Sequence, residues 1–340
     1  MRTIRWGIIG CGNVTEVKSG PGFQKANNSQ LVAVMRRNGA LAKDYAERHG
    51  VPKWYDDANA LINDPDVDAV YVATPPAWHK EYTFAVARAG KPVYVEKPMA
   101  LNYAECLEMI EVCRSAGTPL YVAYYRRALP RFLKVKELVE SGALGEARCV
   151  TVSLFTPPTP DELEPNNLPW RVLPEVSGGG RFVDMAPHTL DFLDFVFGPI
   201  RSVQGHAANQ ARLYPAEDVV SASFVFESGV VGTGMWCFTT FRNYDMTEIV
   251  GSKGKVAFAS FGNDPVVLTT REGVTEFPII NPLHIQQPFI QTVVDELNGV
   301  GTSPSTGVTG ARTTWVIDEI LKDYRRKRHA SRACCVMRET

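Results

Sequence analysis

Three side chains in this sequence are of types, and in contexts, that could move a hydride and a proton together. Lys97 follows the run Lys91-Pro-Val-Tyr-Val-Glu96 and precedes Pro98. Val93 to Val95 has the β-branched and aromatic character of a buried parallel strand, and Pro98, with no amide hydrogen, ends the pairing and biases Lys97 toward extended backbone. The amine is thereby placed at the carboxyl end of a strand, where open α/β sheets bind ligands. Asp184 and His188 stand four residues apart behind Ser177-Gly178-Gly179-Gly180, a spacing that puts both on one side of a helix. Taking a hydride from a secondary alcohol requires the alcohol proton to leave with it, and a histidine titrating near neutrality suits that task. An ammonium steadies the developing oxyanion, and a carboxylate can fix another hydroxyl. The sequence therefore predicts His188 as acid/base, Lys97 as polarising donor and Asp184 as substrate anchor.

Each of the three has a plainer reading when taken alone. Lys97 suits a solvated strand end, His188 a satisfied interior histidine and Asp184 a helix N-cap. Pro187 read in the first helical turn, where a missing N–H costs nothing, puts Asp184 at the helix entrance with His188 about one turn on. Asp191 and Asp194 read as polar positions on a helix otherwise buried by Leu190, Phe192, Leu193 and Phe195.

A second piece of chemistry tips the balance. Ile4 to Ile9 reads as a buried strand running straight into Gly10-Cys-Gly12-Asn13-Val14-Thr15, which opens a helix. The first glycine permits a tight turn, and the second lets backbone approach a pyrophosphate that helix N-terminal amides then meet. Leu31 to Met35 reads as the next strand, and the residues just past it should touch the adenosine ribose. Here they are Arg36-Arg37-Asn38, where an NAD site calls for an acid and an arginine suits a 2′-phosphate, so NADP(H) is favoured with NAD(H) possible. The two arginines also suit solvated loop charges stacked on adenine. Ala73-Thr74-Pro75-Pro76-Ala-Trp78-His79 follows another strand and reads as a loop against the cofactor, with His79 by itself a helix-start residue.

The elements that position these groups alternate strand and helix as far as Leu120 to Tyr124, so a doubly wound parallel sheet is expected. Helices are expected over Ala40 to His49, Asp56 to Asn63, Glu81 to Ala89 and Tyr103 to Ala116, and Leu129 to Glu140 leads into a second domain. From Ala147 the pattern changes, with strands expected over Cys149 to Phe155, Val203 to Ala208, Val219 to Phe226, Val230 to Phe238, Asp245 to Val250 and Lys255 to Phe258. Short turns such as Glu227-Ser228-Gly229 predict a mostly antiparallel sheet, with one face on helices and the other open to a second copy. Helices over Phe289 to Asn298 and Gly310 to Lys327 close the chain.

Composition is consistent with this reading. A chain of 340 residues exceeds the size at which one core usually stops growing, so two domains are expected, 1–124 and 125–340. A formal charge of -1 gives no footprint for nucleic acid or an acidic membrane. The 7 cysteines have no paired spacing for zinc, no metal site is expected, and the usage fits a reducing, cytoplasmic setting. Glycines break the apolar run after Arg5, no segment reaches membrane-spanning length, and Cys334-Cys335 makes no prenylation box. The basic run from Arg325 to His329 complements a helix C-terminus.

Taken together, Gly10-x-Gly12, Ala73-Thr74-Pro75 with His79, Glu96-Lys97-Pro98, and Gly178-Gly-Gly180 through Asp184-x-x-x-His188, in that order, resemble the Gfo/Idh/MocA oxidoreductases over nearly the whole chain. The resemblance implies an N-terminal Rossmann domain and a C-terminal domain with a large open sheet used for subunit packing as a homodimer or homotetramer. It implies the catalytic roles of Lys97, Asp184 and His188 and a sugar, cyclitol or related polyol as substrate, and the cofactor contacts expected are Gly10, Gly12, Asn13, Val14, Arg36, Arg37, Thr74, Pro75, His79, Glu96 and Lys97. Tyr125, Arg126, Trp170 and Arg171 fall where such proteins line the substrate side. Two departures stand out: Arg36 replaces the acid of NAD-dependent members, and Thr15 replaces a small residue of the nucleotide motif. Rival readings are a glycosidase of the same fold that uses NAD transiently, and a nucleotide or sugar sensor similar to the galactose-pathway repressors.

Overall fold

The computed structural model describes residues 1–336, with the side chains of 329–336 left out. The chain end, the Cys334-Cys335 side chains and that of His329, on which expectations above rest, lie outside the described residues. The backbone divides into two compact units, residues 1–133 with 280–311, and 134–279 with 312–340.

The first unit opens with β1 (Ile4–Ile9), α1 (Asn13–Val17), α2 (Gly20–Lys25), β2 (Ser29–Met35), α3 (Gly39–His49), β3 (Lys53–Tyr55), α4 (Ala58–Ile62) and β4 (Ala69–Val72). It continues through α5 (His79–Arg88), β5 (Val93–Val95), α6 (Tyr103–Ser115) and β6 (Leu120–Val122), and α7 (Pro130–Glu140) carries the chain across the division. The strands form a six-stranded sheet in the order β3-β2-β1-β4-β5-β6, parallel throughout. Strands β4, β5 and β6 are buried along their whole length, which is why they read as unbroken apolar runs and not as alternations. Side-chain caps start three of the helices, α3, α4 and α6: the Asn38 carboxamide accepts from Leu41 N, the Asp57 carboxylate from Asn59 N and Ala60 N, and the Asn102 carboxamide from Glu105 N. The short strand β3, absent from the expected elements, extends this sheet beyond β2.

In the second unit come β7 (Ala147–Phe155), α8 (Pro174–Ser177), α9 (Arg181–Phe197), β8 (Ile200–Ala208), β9 (Val219–Phe226), β10 (Val231–Cys237), β11 (Tyr244–Gly251), β12 (Gly254–Phe258), β13 (Val266–Thr270) and β14 (Gly273–Phe277). Among the described residues these strands make one eight-stranded sheet, β14-β13-β12-β11-β7-β10-β9-β8, antiparallel except where β7 and β10 run together. The expected mostly antiparallel sheet is therefore present. Its last two strands were not foreseen, since β14 is exposed for most of its length and Val266–Thr270 carries no strict alternation. Helix α9 covers one face, with Phe182 edge-on to Trp236 at 5.1 Å, Phe197 against Phe226 at 5.2 Å and Phe192 edge-on to Phe258 at 5.7 Å. Helices α10 (Gln287–Leu297) and α11 (Gly307–Val336) end the chain, the first in unit one and the second running across the division.

No helix of the described residues is long and apolar enough to cross a membrane. Among those residues Cys11, Cys106, Cys113, Cys149 and Cys237 are free thiols, and no cluster of His, Cys, Asp and Glu is suited to holding a metal.

Candidate active site

The glycine turn sits where the sheet order reverses, between β1 and β4, at the carboxyl edge of the strands. Gly10 has φ +91, and a Cβ there would press on Thr74 N at 3.0 Å, so no other residue fits comfortably. Gly12 differs: a Cβ there would meet nothing nearer than the Gly10 carbonyl at 3.8 Å, and no side chain caps α1. Packing does not require glycine at 12, whereas backbone access for an outside anion does. The residues present thus fit a dinucleotide pyrophosphate, which the Gly12, Asn13 and Val14 amides would hold. Thr15, the departure from the nucleotide motif, is wholly buried and donates its hydroxyl to the Gly12 carbonyl at 2.8 Å, while its own carbonyl accepts from the Tyr45 hydroxyl at 2.8 Å.

Arg36 and Arg37 are exposed just past β2. The Gly10 and Cys11 amides donate to the Met35 carbonyl at 2.8 and 3.1 Å, which ties the end of β2 to the turn. Burial pushes the Cys11 thiol up to about 11, and the nearby Arg36 charge pulls against that rise. The Arg37 guanidinium lies over the Trp78 ring at 5.1 Å.

His79 begins α5 as expected and is fully buried. Its Nε2 faces the Thr74 carbonyl at 2.7 Å, and its Nδ1 faces those of Pro98 and Met99 at 3.0 and 3.3 Å. Burial lowers its pKa, against the pull of those carbonyls. The imidazole therefore joins the loop after β4 to the turn after β5, and its bearing on a cofactor passes through those two turns. Glu96, also buried, accepts from the Tyr71 hydroxyl at 2.5 Å, the Gln286 carboxamide at 2.6 Å and the Lys97 amide at 3.0 Å. Lys97 itself is half-buried. Tyr125 and Arg126 share one 3₁₀ turn after β6 and are both buried, with the guanidinium over the Tyr125 and Phe132 rings at 5.2 and 5.5 Å.

Asp184 and His188 belong to the second unit, one turn apart on α9 as their spacing predicts. The helix, however, begins at Arg181 with Gly180 as N-cap, so Pro187 lies in its second turn and Asp184 within its first. The placement of Pro187 in the first turn is thus corrected, and so is Asp184 as an N-cap. Two glycines let α9 start where it does. A Cβ on Gly180 would meet the Glu217 carbonyl at 2.5 Å and one on Gly179 the Glu217 carboxylate at 2.9 Å, while Gly180 N donates to that side chain at 2.7 Å. Glu217 is wholly buried, and burial raises its pKa. Arg171, stacked on Trp170 at 4.5 Å, places its Nε 3.3 Å from the Asp184 carboxylate, which brings three of the expected residues together. His188 is buried, with its ring edge-on to Phe261 at 5.7 Å. Asp191 and Asp194, read as bland polar positions, are both tied to α11: Asp191 accepts from the Thr313 hydroxyl at 3.3 Å, and Asp194 takes a two-pronged bond from Arg312 at 2.9 and 2.6 Å.

Glu217 and Gln286 were missed. Neither belongs to a local pattern, and each matters only because a distant segment folds against it.

Residues 4–124 match the family described as the oxidoreductase family with an NAD-binding Rossmann fold, and residues 132–257 match the GFO/IDH/MocA C-terminal domain. The chain is 37% identical to oxidoreductase P35 of Formosa agariphila over 93% of its own length and 97% of that protein's. It is 30% identical to the myo-inositol 2-dehydrogenase of Thermotoga maritima, over 79% of each. Among solved structures, the aldose-aldose oxidoreductase of Caulobacter crescentus complexed with glycerol superposes with a TM-score of 0.82 at 26% identity, covering 96% of this chain and 98% of that one.

Proposed function

The chain belongs to the Gfo/Idh/MocA family of NAD(P)-dependent oxidoreductases, and from that premise we propose that it transfers a hydride between NADP(H) and a secondary alcohol or ketone of a sugar, cyclitol or related polyol. One observation carries this reading. The Gly10 to Gly12 turn and Lys97 stand at the carboxyl edge of a single parallel sheet, on β1 and just past β5, two strand spacings or about 10 Å apart. A dinucleotide anchored at the turn can reach that distance with its nicotinamide.

When bound, the nicotinamide supplies the hydride chemistry. This chain's residues do the rest. The Gly10 turn, tied to Met35, would present the Gly12, Asn13 and Val14 amides to the pyrophosphate, Arg36 would pair with the ribose 2′-phosphate, Arg37 on Trp78 would offer a face to the adenine, and Thr74 and Pro75 would wall the loop beside the turn. Glu96 and His79 fix the turn that carries Lys97. The Lys97 ammonium donates to the reacting oxygen, His188 takes or returns the alcohol proton, and Asp184, oriented by Arg171, accepts from a neighbouring hydroxyl. Tyr125, Arg126 and Trp170 line the substrate side. Hydroxyl-rich substrates suit such a donor and acceptor set, and the free thiols suit a cytoplasmic enzyme.

The test is a panel of sugars, cyclitols and their keto forms, assayed with both coenzymes on the wild type and on Lys97→Ala. We expect a polyol to reduce NADP⁺ and its kcat to fall by about 10²–10³-fold in the variant, the usual cost of losing one oxyanion donor. Tight coenzyme binding with no redox change on any substrate would overturn the proposal.

A further inference from the structure

The segment 280–311 returns to the first unit and brings Gln286, fully buried, between two parts of the coenzyme site. Its carboxamide nitrogen donates to the Glu96 carboxylate at 2.6 Å, and its carboxamide oxygen accepts from the Tyr94 hydroxyl at 2.9 Å. Its own amide donates to the Lys18 carbonyl at 3.1 Å, while the ring of His284 meets the Val17 carbonyl at 2.7 Å. Val17 and Lys18 close α1, the helix whose first turn would meet the pyrophosphate on the reading above. Glu96 in turn accepts from the Lys97 amide. A single residue therefore spans from the end of α1, which its backbone amide reaches, to the turn that aims the lysine, which its carboxamide reaches through Glu96. Tyr71 and Tyr94, stacked at 4.8 Å, frame it, and burial raises both phenol pKa values so that the hydroxyls stay donors.

We propose that Gln286 is a positioning residue that holds the pyrophosphate-binding turn and the Lys97 turn in one register, so that anchoring of the coenzyme and placement of the ammonium depend on one buried residue, whose backbone amide ties the end of α1 and whose carboxamide orients that backbone against Tyr94 and Glu96. The role in coenzyme binding rests on family membership, and the role in turnover on the reading of Lys97 given above. The carboxamide suits this place for a definite reason. It must donate to a carboxylate on one side and accept from a phenol on the other, and no apolar or singly functional side chain does both.

Gln286→Glu gives a signature that lost packing would not. A protonated glutamic acid reproduces both bonds, one oxygen accepting from Tyr94 and the O–H donating to Glu96. An ionised one sets two carboxylates against each other, which is strongly disfavoured. The affinities of apo wild type and variant for NADH and NADPH are measured by fluorescence titration, alongside thermal melting, from about pH 5.5 to about pH 8.5. We expect the variant to match wild type within about twofold at the acid end and to bind about tenfold more weakly at the alkaline end. A hydrogen bond to a charged group is commonly worth a factor of that size. The loss should be equal for the two coenzymes, because the lock lies far along the sheet from Arg36.

A variant-to-wild-type affinity ratio that stays flat with pH overturns the proposal. If Gln286→Glu does not fold, Tyr94→Phe decides: it keeps the stacked ring and removes the hydroxyl that orients the carboxamide. We expect about threefold weaker binding of both coenzymes, and unchanged binding overturns the proposal. Should Lys97→Ala keep full turnover, the catalytic reading of Lys97 fails while the coenzyme titration still judges Gln286.

Discussion

On the reading proposed above, coenzyme choice turns on Arg36. It is exposed at the tip of β2, close enough to the glycine turn for its charge to act on the Cys11 thiol, while Arg37 is occupied by the Trp78 ring. The adenosine ribose of a bound dinucleotide lies just beyond this strand, and a guanidinium there pairs with a 2′-phosphate. We expect NADPH to bind more tightly than NADH and Arg36→Asp to reverse the order, with the ratio of affinities moving by about 100-fold, since a charge-assisted pair is exchanged for a repulsion. Equal wild-type affinities in a titration would remove the argument. At this scale much was legible. The type of each reactive group and its neighbours in sequence place Lys97 after a strand and the Asp184–His188 pair on one helix. What a side chain touches was not legible: both nitrogens of His79 meet backbone carbonyls, two of them about twenty residues further along the chain.

Helix α9 shows what decides an element's start. Glycines 178–180 read as a flexible approach to an acid and a histidine, yet two of them are required by the close packing of Glu217, whose carboxylate takes the Gly180 N–H and so serves the orphan donors of the helix from another segment. Because α9 thereby begins at Arg181, Pro187 falls in the second turn, where its missing N–H leaves the Val183 carbonyl without its intrahelical partner. Burial holds the folded pKa of Glu217 above its unfolded value near 4.3. The native state then binds the proton more tightly, so the stability this group contributes is present below about pH 4.3 and is lost as pH rises toward the folded pKa. Glu217→Gln copies the neutral form and keeps an acceptor for Gly180. We expect thermal melting of the variant to lack the part of the decline with rising pH that this group causes, and Glu217→Ala to melt lower at every pH. Parallel pH curves for wild type and Glu217→Gln would refute the buried-acid account. Strand and helix existence was mostly legible from apolar periodicity, whereas β3, β13 and β14 were not, being short or exposed.

At the scale of the whole molecule, the sheet face of the second unit opposite α9 carries partly exposed apolar side chains. Val231 and Met235 on β10 are 47% and 40% exposed, and Tyr244 on β11 is 40% exposed. Side chains of this kind on one face of a broad sheet suit a second copy of the same sheet, and we expect light scattering to give a mass of two or four chains. A single-chain mass at working concentration would rule this out, and Met235→Glu should shift the assembly toward that mass. The sequence by itself determined the succession of strand and helix, the glycine turn after the first strand, the lysine behind the fifth, the change to antiparallel strands after residue 147 and the family, because each is written in local periodicity or in short ordered motifs. Only the tertiary structure decided that residues 280–311 return to the first unit, that Gln286 spans α1 and Glu96, that Glu217 sets the start of α9, and that Asp191 and Asp194 hold α11. These depend on contacts between segments from about forty to about 270 residues apart. Such contacts are chosen by which buried polar groups must find partners once the chain has closed, and no local pattern records them.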